Sequence, residues 1–166
     1  TEVVSLMKTM SYRPQAVRRV HIPKSKGETR AIGIPTTEDK MVQKAMSRIM
    51  ESIWEQDFLD SSYGFRQGRS CHQALKKIGE LITWRPINHV IEADIRQYFD
   101  RVPHGKMVEL VSKRVSDPKF IRYIVRFLKS GYLEGDVYRR TAEGTPQGGN
   151  ISPLLANIYL HYVLDE

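Results

Sequence analysis

The sequence is poor in cysteine and has no long apolar run, and each absence excludes a class of protein. Its single cysteine, Cys71, excludes an intramolecular disulfide and favours a reducing compartment. No apolar run approaches the length of a membrane span, and the residues after Thr1 do not have the pattern of a signal peptide. His72 follows Cys71 without further metal-ligand spacing, so packing at a helix start is favoured over a zinc site.

Acidic residues are the minority among the charged side chains. Lys and Arg number 26 against 19 Asp and Glu, which gives a net charge of +7. This balance suits a polyanionic partner such as a nucleic acid, because each phosphate neutralised releases counterions. Charge alone fits a merely basic soluble protein equally well. With 166 residues, the chain can form one sizeable core or two small lobes that share one.

Local patterns predict a mixture of hairpins and helices. Alternating polar and apolar residues at 18–23 and 29–34, and again at 132–133 and 137–141, flank short turns and predict two β-hairpins. Apolar residues at helical spacing predict helices that begin near Thr37, Ser70, Asp117 and Ser152. Because these elements show no βαβ regularity, the fold class is predicted to be α+β.

The most informative segment is residues 90–100, which read VIEADIRQYFD. Val90 and Ile91 favour a strand, and a strand would direct Glu92 and Asp94 to one face. A carboxylate at such a strand end can hold Mg²⁺ together with water and phosphate oxygens. A solvated Asp94 on an edge strand is the alternative when this segment is considered alone.

A second segment, residues 144–153, reads GTPQGGNISP. Together the two segments resemble consecutive palm motifs of reverse transcriptases, specifically those encoded by bacterial group II introns. Further blocks similar to the family's opening motifs occur in the same order at residues 12–14, 22–24, 30–35, 39–43 and 63–72.

The resemblance implies a right-hand polymerase fold of fingers plus palm, in which an antiparallel palm sheet is backed by helices. Residues 1–88 would be mainly fingers and residues 89–166 mainly palm, with some interleaving. The family continues into a Tyr/Phe-x-Asp-Asp strand with two further metal carboxylates, then a thumb and a maturase-type region. We expect all of these to lie outside the present sequence.

The implied function is RNA-directed DNA polymerisation in the bacterial cytoplasm. The implied partners are an RNA template that includes intron RNA, a DNA primer and deoxynucleotides, with Mg²⁺ as cofactor, Mn²⁺ as its substitute, and no membrane. One alternative is a non-catalytic RNA-binding module of maturase type. A weaker alternative is a Mg²⁺ nuclease centred on Asp94 and Glu92.

Specific residues match the family's metal and sugar positions. Asp94 matches the first metal aspartate and catalytic carboxylate, and the backbone carbonyl of Ile95 is the usual ligand beside it. Asp100 lies outside that position and is expected to form local contacts. Phe99 matches the aromatic residue beneath the incoming sugar, where a ring would exclude a ribose 2′-hydroxyl, although Tyr98 competes for this role.

Other residues match the family's nucleotide and template contacts. Lys24 and Arg30 in the first hairpin match the cations that grip the triphosphate, and arginine suits phosphate through its planar fork. Gln147 and Gly148 are implied to lie beside the incoming nucleotide.

The loop before the Ser70 helix interleaves aromatic and cationic residues, a pattern suited to a template strand. In this loop, Tyr63, Arg66 and Arg69 are the predicted template contacts. The alternative is that the aromatic residues only anchor the loop to the core.

Overall fold

A computed structural model describes residues 2–23, 29–145 and 148–165. In chain order its elements are α1 (Glu2–Lys8), β1 (Val17–Pro23), β2 (Thr29–Ile34), α2 (Thr37–Trp54), α3 (Cys71–Trp84), α4 (Tyr98–Arg101), α5 (His104–Ser112), α6 (Pro118–Leu128), β3 (Tyr132–Glu134), β4 (Val137–Arg139) and α7 (Ser152–Leu160), followed by a π-helical turn, His161–Asp165. The predicted α+β mixture is therefore confirmed.

Side-chain caps explain where the longer helices begin. The Thr36 hydroxyl accepts a hydrogen bond from the Asp39 amide at the start of α2, and the Asp117 carboxylate accepts two amide hydrogen bonds at the start of α6. Ser70 and Gln73 form a capping box at the start of α3. Each cap satisfies amide groups that have no partner within the helix.

The four strands form one mixed sheet in the order β2-β1-β3-β4. The β1–β2 and β3–β4 pairs are antiparallel hairpins, as predicted, and Val17 of β1 lies beside Tyr132 of β3 in a parallel pair. The first hairpin is thus joined to the second, so the two halves of the chain share a sheet.

The core lies where α2, α5, α6 and α7 pack together. Met50 and Trp54 of α2, Met107 of α5 and Ile158 of α7 are completely buried. At the edge of this core the hydroxyl of Tyr12 donates a hydrogen bond to the buried carboxylate of Asp39. That bond ties the segment before β1 to the start of α2.

The predicted strand at Asp94 is wrong. Residues 86–95 have neither helix nor strand, and Ile91 is 91% exposed. A strand requires hydrogen bonds from a neighbouring strand, and no strand among the described residues lies beside this segment. The described sheet is accordingly not the antiparallel palm sheet that was expected to contain Asp94.

The apolar stripe of α3 is also exposed. The helix forms as its sequence predicts, but none of its residues is buried, and Leu75 and Trp84 are 65% and 81% exposed. Among the described residues, no helix is both long enough and apolar enough to cross a membrane.

Candidate nucleotide-binding site

The two most informative sequence motifs meet in the structure. The amide of Gly144 donates to the carbonyl oxygen of Val102 at 2.7 Å, and the amide of Thr145 donates to that of Phe99 at 2.6 Å. A methyl group at Gly144, where φ is +85°, would lie 2.7 Å from the Asp100 carbonyl oxygen. Only glycine allows this approach without strain, so the start of the 144–149 turn is fixed against the Phe99 segment.

A buried histidine supports the same junction. The Nε2 atom of His104, the first residue of α5, lies 2.7 Å from the carbonyl oxygen of Gly144. His104 is 8% exposed, and an N–H group of its ring satisfies a carbonyl that is also buried. The sequence analysis missed this contact, because a single histidine 40 residues from its partner gives no local signal.

The far end of the turn lies against the first hairpin. A methyl group at Gly148, where φ is +105°, would lie 2.2 Å from the carbonyl oxygen of Gly33 in β2. The structure therefore brings together the fingers-type hairpin, the glycine turn and the Phe99 segment. Of the predicted nucleotide-binding residues, Phe99 and Gly148 lie at this junction.

A cavity of about 330 Å³ opens beside the junction. Its lining includes Arg19 and Gly33 from the first hairpin, Asp100, and Gly144 with Thr145 from the turn. The guanidinium of Arg19 lies over the ring of Tyr132, 3.3 Å from the centroid. The lining also includes Arg140 and Glu143, so two arginines and two carboxylates line it beside backbone polar groups, which suits a polar ligand of modest size.

The structure separates the roles of Tyr98 and Phe99. The Tyr98 hydroxyl donates to the carbonyl oxygen of Ala156 in α7 at 2.7 Å, and burial raises the pKa of that hydroxyl. Tyr98 is therefore bonded to the core, whereas the half-buried side chain of Phe99 lies beside it and contacts the rings of Tyr98 and Phe65. Between the two candidates, the geometry favours Phe99 as the residue beneath the sugar.

Two predicted triphosphate and nucleotide contacts, Lys24 and Gln147, lie outside the described residues. Arg30 is exposed near the start of β2, opposite Ile22 of β1. An exposed cation near the start of β2 is compatible with a phosphate contact.

The described residues do not form a metal site. Asp94 is exposed, and no group of three His, Cys, Asp or Glu side chains converges anywhere in residues 2–23, 29–145 and 148–165. Asp94 and the Ile95 carbonyl could supply two of the about six oxygen ligands that Mg²⁺ prefers. These donors alone do not fit a resident ion.

The loop between α2 and α3 places its two arginines differently. The side chain of Arg66 is 3% exposed and donates to the Glu55 carboxylate and to the carbonyl oxygens of Leu59 and Ser62. Arg66, predicted from the sequence as a template contact, is therefore buried, because the carboxylate of Glu55, just after α2, and two loop carbonyls bind its guanidinium.

Arg69 and Tyr63 remain partly accessible. The Arg69 guanidinium binds the exposed Asp60 carboxylate at 2.6 Å and lies 5.6 Å from the Tyr63 ring centroid. The hydrogen bond from Arg69 lowers the pKa of Asp60. An exposed pair of this kind can exchange its carboxylate partner for a phosphate at little cost.

A family model described as "Reverse transcriptase (RNA-dependent DNA polymerase)" matches residues 22–166. The chain belongs to the reverse transcriptase family. This reverse transcriptase chain is 45% identical over 161 residues to the group II intron-encoded protein LtrA of Lactococcus lactis subsp. cremoris. The aligned region covers 96% of this chain and 26% of LtrA. It is also 43% identical over 158 residues to protein YkfC of Escherichia coli K12, covering 90% of this chain and 40% of YkfC.

The fold of this reverse transcriptase chain is found in a solved assembly. The structure titled "Partial Cas6-RT-Cas1--Cas2 complex" matches 97% of this chain and 28% of the chain in that structure, with a TM-score of 0.58 and 24% identity. The predicted fingers-and-palm reverse transcriptase fold is confirmed, and so is the resemblance to group II intron-encoded proteins. The chain spans 26% of the length of LtrA.

Proposed function

We propose that the complete protein containing this chain is an RNA-directed DNA polymerase of the group II intron-encoded class. It adds deoxynucleotides to the 3′ end of a DNA primer on an RNA template, and intron RNA is one such template. The observation that carries the proposal is the junction of Phe99, the 144–148 turn and Gly33 of β2. Backbone contacts fix these three segments, which are distant in sequence, around one place. Such a convergence is typical of a ligand site rather than of general core packing.

Each part of the junction has a proposed role. Phe99 lies beneath the sugar of the incoming nucleotide and excludes a 2′-hydroxyl by its volume. Gly148, which has no side chain, allows close approach of the backbone to the nucleotide, and Gln147 is proposed to contact it. Lys24 and Arg30 on the first hairpin bind the triphosphate, because both are cations in an opening segment similar to that of the family.

The divalent ions that this family generally uses stabilise developing charge during phosphoryl transfer. Asp94 and the carbonyl of Ile95 are proposed to supply two of the ligands, with Mg²⁺ preferred and Mn²⁺ accepted. Because Asp94 is the sole carboxylate of the expected set in this sequence, the 166-residue chain alone is not expected to support polymerisation. Residues 1–88 would act mainly as fingers and residues 89–166 mainly as palm.

Template binding is assigned to the loop before α3. Tyr63 and Arg69 are partly exposed and can stack on a base and contact a phosphate. Arg66 fixes the loop from within, so its contribution to template binding is indirect. The bacterial cytoplasm is the proposed location, since LtrA and YkfC are bacterial proteins.

A non-catalytic RNA-binding role is the second candidate. The net charge of +7 and the relation to intron-encoded proteins favour it. Primer extension separates the two functions. The complete gene product, supplied with an RNA template, a DNA primer, Mg²⁺ and deoxynucleotides, should extend the primer. If the protein binds RNA tightly but does not extend the primer with Mg²⁺ or Mn²⁺, the polymerase function is excluded and only the RNA-binding role remains.

A further inference from the structure

Phe65 contacts Phe99 from a distant part of the chain. The two ring centroids are 6.2 Å apart and the ring planes meet at 88°, which is an edge-to-face arrangement. Such contacts fix the relative orientation of two rings, because the positive edge of one meets the negative face of the other. Phe65 is 71% exposed, so burial in the core does not explain its position.

The backbone holds Phe65 in this position against its own preference. Its φ is +55°, in the left-handed region that residues with bulky side chains rarely adopt. The next residue, Arg66, is buried and hydrogen-bonded to Glu55, Leu59 and Ser62. Such a conformation persists only where surrounding contacts determine it, and the Arg66 contacts do so here.

The Phe99 ring also contacts a tyrosine that is linked to α7. Its ring lies 5.7 Å from that of Tyr98, which is 6.1 Å from the ring of Tyr159 in α7. The Phe99 ring therefore contacts both a tyrosine bonded to α7 and a phenylalanine of the loop before α3. Removing Phe65 would remove one of these ring contacts and leave the other intact.

We propose that Phe65 is a positioning residue for Phe99, and that it sets the discrimination between deoxyribonucleotides and ribonucleotides by restricting the Phe99 ring. This inference rests on the proposed function, in which Phe99 excludes the 2′-hydroxyl. It assigns part of the sugar specificity to the loop between α2 and α3. It also connects that specificity to the buried Arg66, which fixes the loop.

Single-nucleotide addition by the complete protein tests the proposal. The quantity to measure is the ratio of kcat/KM for a deoxynucleotide to kcat/KM for the matching ribonucleotide. Phe65→Ala should lower this ratio about three- to tenfold, the range expected when one aromatic pair is lost, mainly through a lower KM for the ribonucleotide. Phe65→Tyr keeps the ring and should retain the wild-type ratio. If Phe65→Ala does not fold, Phe65→Leu removes the ring with less change in volume and should lower the ratio in the same direction.

A double-mutant cycle shows whether the effect passes through Phe99. In a Phe99→Ala background, Phe65→Ala should change the ratio no further. Trp84→Ala, which truncates an exposed aromatic residue at the end of α3, is the control and should leave the ratio unchanged.

The possible outcomes distinguish the role of Phe65 from the assignment of Phe99 beneath the sugar. A shifted ratio in Phe99→Ala with an unchanged ratio in both Phe65→Ala and Phe65→Leu would overturn the role of Phe65 and leave the proposed function standing. Independent, multiplicative effects of the two substitutions would overturn the route through Phe99. A wild-type protein that adds no nucleotide, or a Phe99→Ala variant with unaltered sugar preference, would overturn the underlying assignment of Phe99 as well.

Discussion

A methyl group at Gly148 would lie 2.2 Å from the carbonyl oxygen of Gly33, so the backbone of Gly148 packs against β2 with no room for a side chain. The φ of +105° at Gly148 adds a second reason for glycine at this position. This approach joins the first hairpin to the turn whose start, at Gly144 and Thr145, is hydrogen-bonded to Val102 and Phe99. It explains how residues more than a hundred positions apart can form one ligand site.

Replacement of Gly148 by alanine should separate the turn from β2. The carbonyl oxygen of Gly33 cannot move aside easily. In addition, the positive φ at position 148 costs a non-glycine residue about 1–3 kcal/mol of backbone strain. We expect kcat/KM for deoxynucleotides to fall at least about tenfold, which corresponds to about 1.4 kcal/mol, chiefly through a higher KM. Steady-state primer extension by the complete protein measures this.

Gly105→Ala is the matched control for that substitution. Gly105 lies in α5, and an added methyl group there meets no atom within 4 Å. Alanine in the first turn of this helix should raise the free energy of unfolding by up to about 1 kcal/mol without changing kinetics. Equal kinetic effects of both substitutions would show that the contact between Gly148 and Gly33 does not serve nucleotide binding.

Truncation of Phe99 should relax sugar selection. Phe99→Val or Phe99→Ala opens space for a 2′-hydroxyl, and we expect ribonucleotide incorporation to rise relative to deoxynucleotide incorporation by at least about tenfold, or about 1.4 kcal/mol. Competitive incorporation of the two nucleotide types measures the change. Tyr98→Phe removes only the hydrogen bond to Ala156 and should leave selectivity unaltered. Selectivity that follows Tyr98 instead would move the sugar contact by one residue.

The two arginines of the α2–α3 loop should respond differently to truncation. Arg66→Ala leaves the carbonyl oxygens of Leu59 and Ser62 without their donor, which should lower the free energy of unfolding by about 1–3 kcal/mol. Thermal unfolding of the complete protein measures this loss. Arg66→Lys should recover little of it, because a lysine lacks the planar fork that contacts Glu55 and both carbonyls together.

Arg69→Ala should act on RNA binding instead. Asp60 and Arg69 form an exposed, solvent-screened pair, so its loss should change the free energy of unfolding little. If Arg69 contacts one phosphate of a single-stranded template, the slope of log affinity against log salt should decrease in magnitude by about 0.7. Titration of RNA at several salt concentrations measures the slope. A large fall in melting temperature with an unaltered slope would make Arg69 a structural residue.

Local patterns predicted the hairpins and helices well because their determinants are close in sequence. Ser70 caps α3 through Gln73, and Asp117 caps α6 through the next three residues. The strand predicted at Asp94 was wrong because local pattern cannot supply the hydrogen bonds that a strand takes from another segment. The burial of Arg66 depends on Glu55, eleven residues earlier, and an arginine in a glycine-rich loop gives no sign of such a partner.

The site itself was only partly predictable. The resemblance indicated Phe99 and the 144–149 turn, and the structure shows both at one junction. The closeness of Gly148 to Gly33, the support from His104 and the edge-on contact of Phe65 all depend on the three-dimensional path of the chain. Residues far apart in sequence contribute each of these contacts.

Removing the charge of Asp94 tests most directly the proposal that the complete protein is a metal-dependent RNA-directed DNA polymerase. Asp94→Asn in the complete protein keeps the size of the side chain and much of its hydrogen bonding but removes the charge that a divalent ion requires. RNA-templated primer extension should fall below detection, while RNA affinity measured in parallel stays within a few fold of wild type. A variant that retains a tenth of wild-type extension would contradict the assignment of Asp94 as a metal ligand of an RNA-directed DNA polymerase.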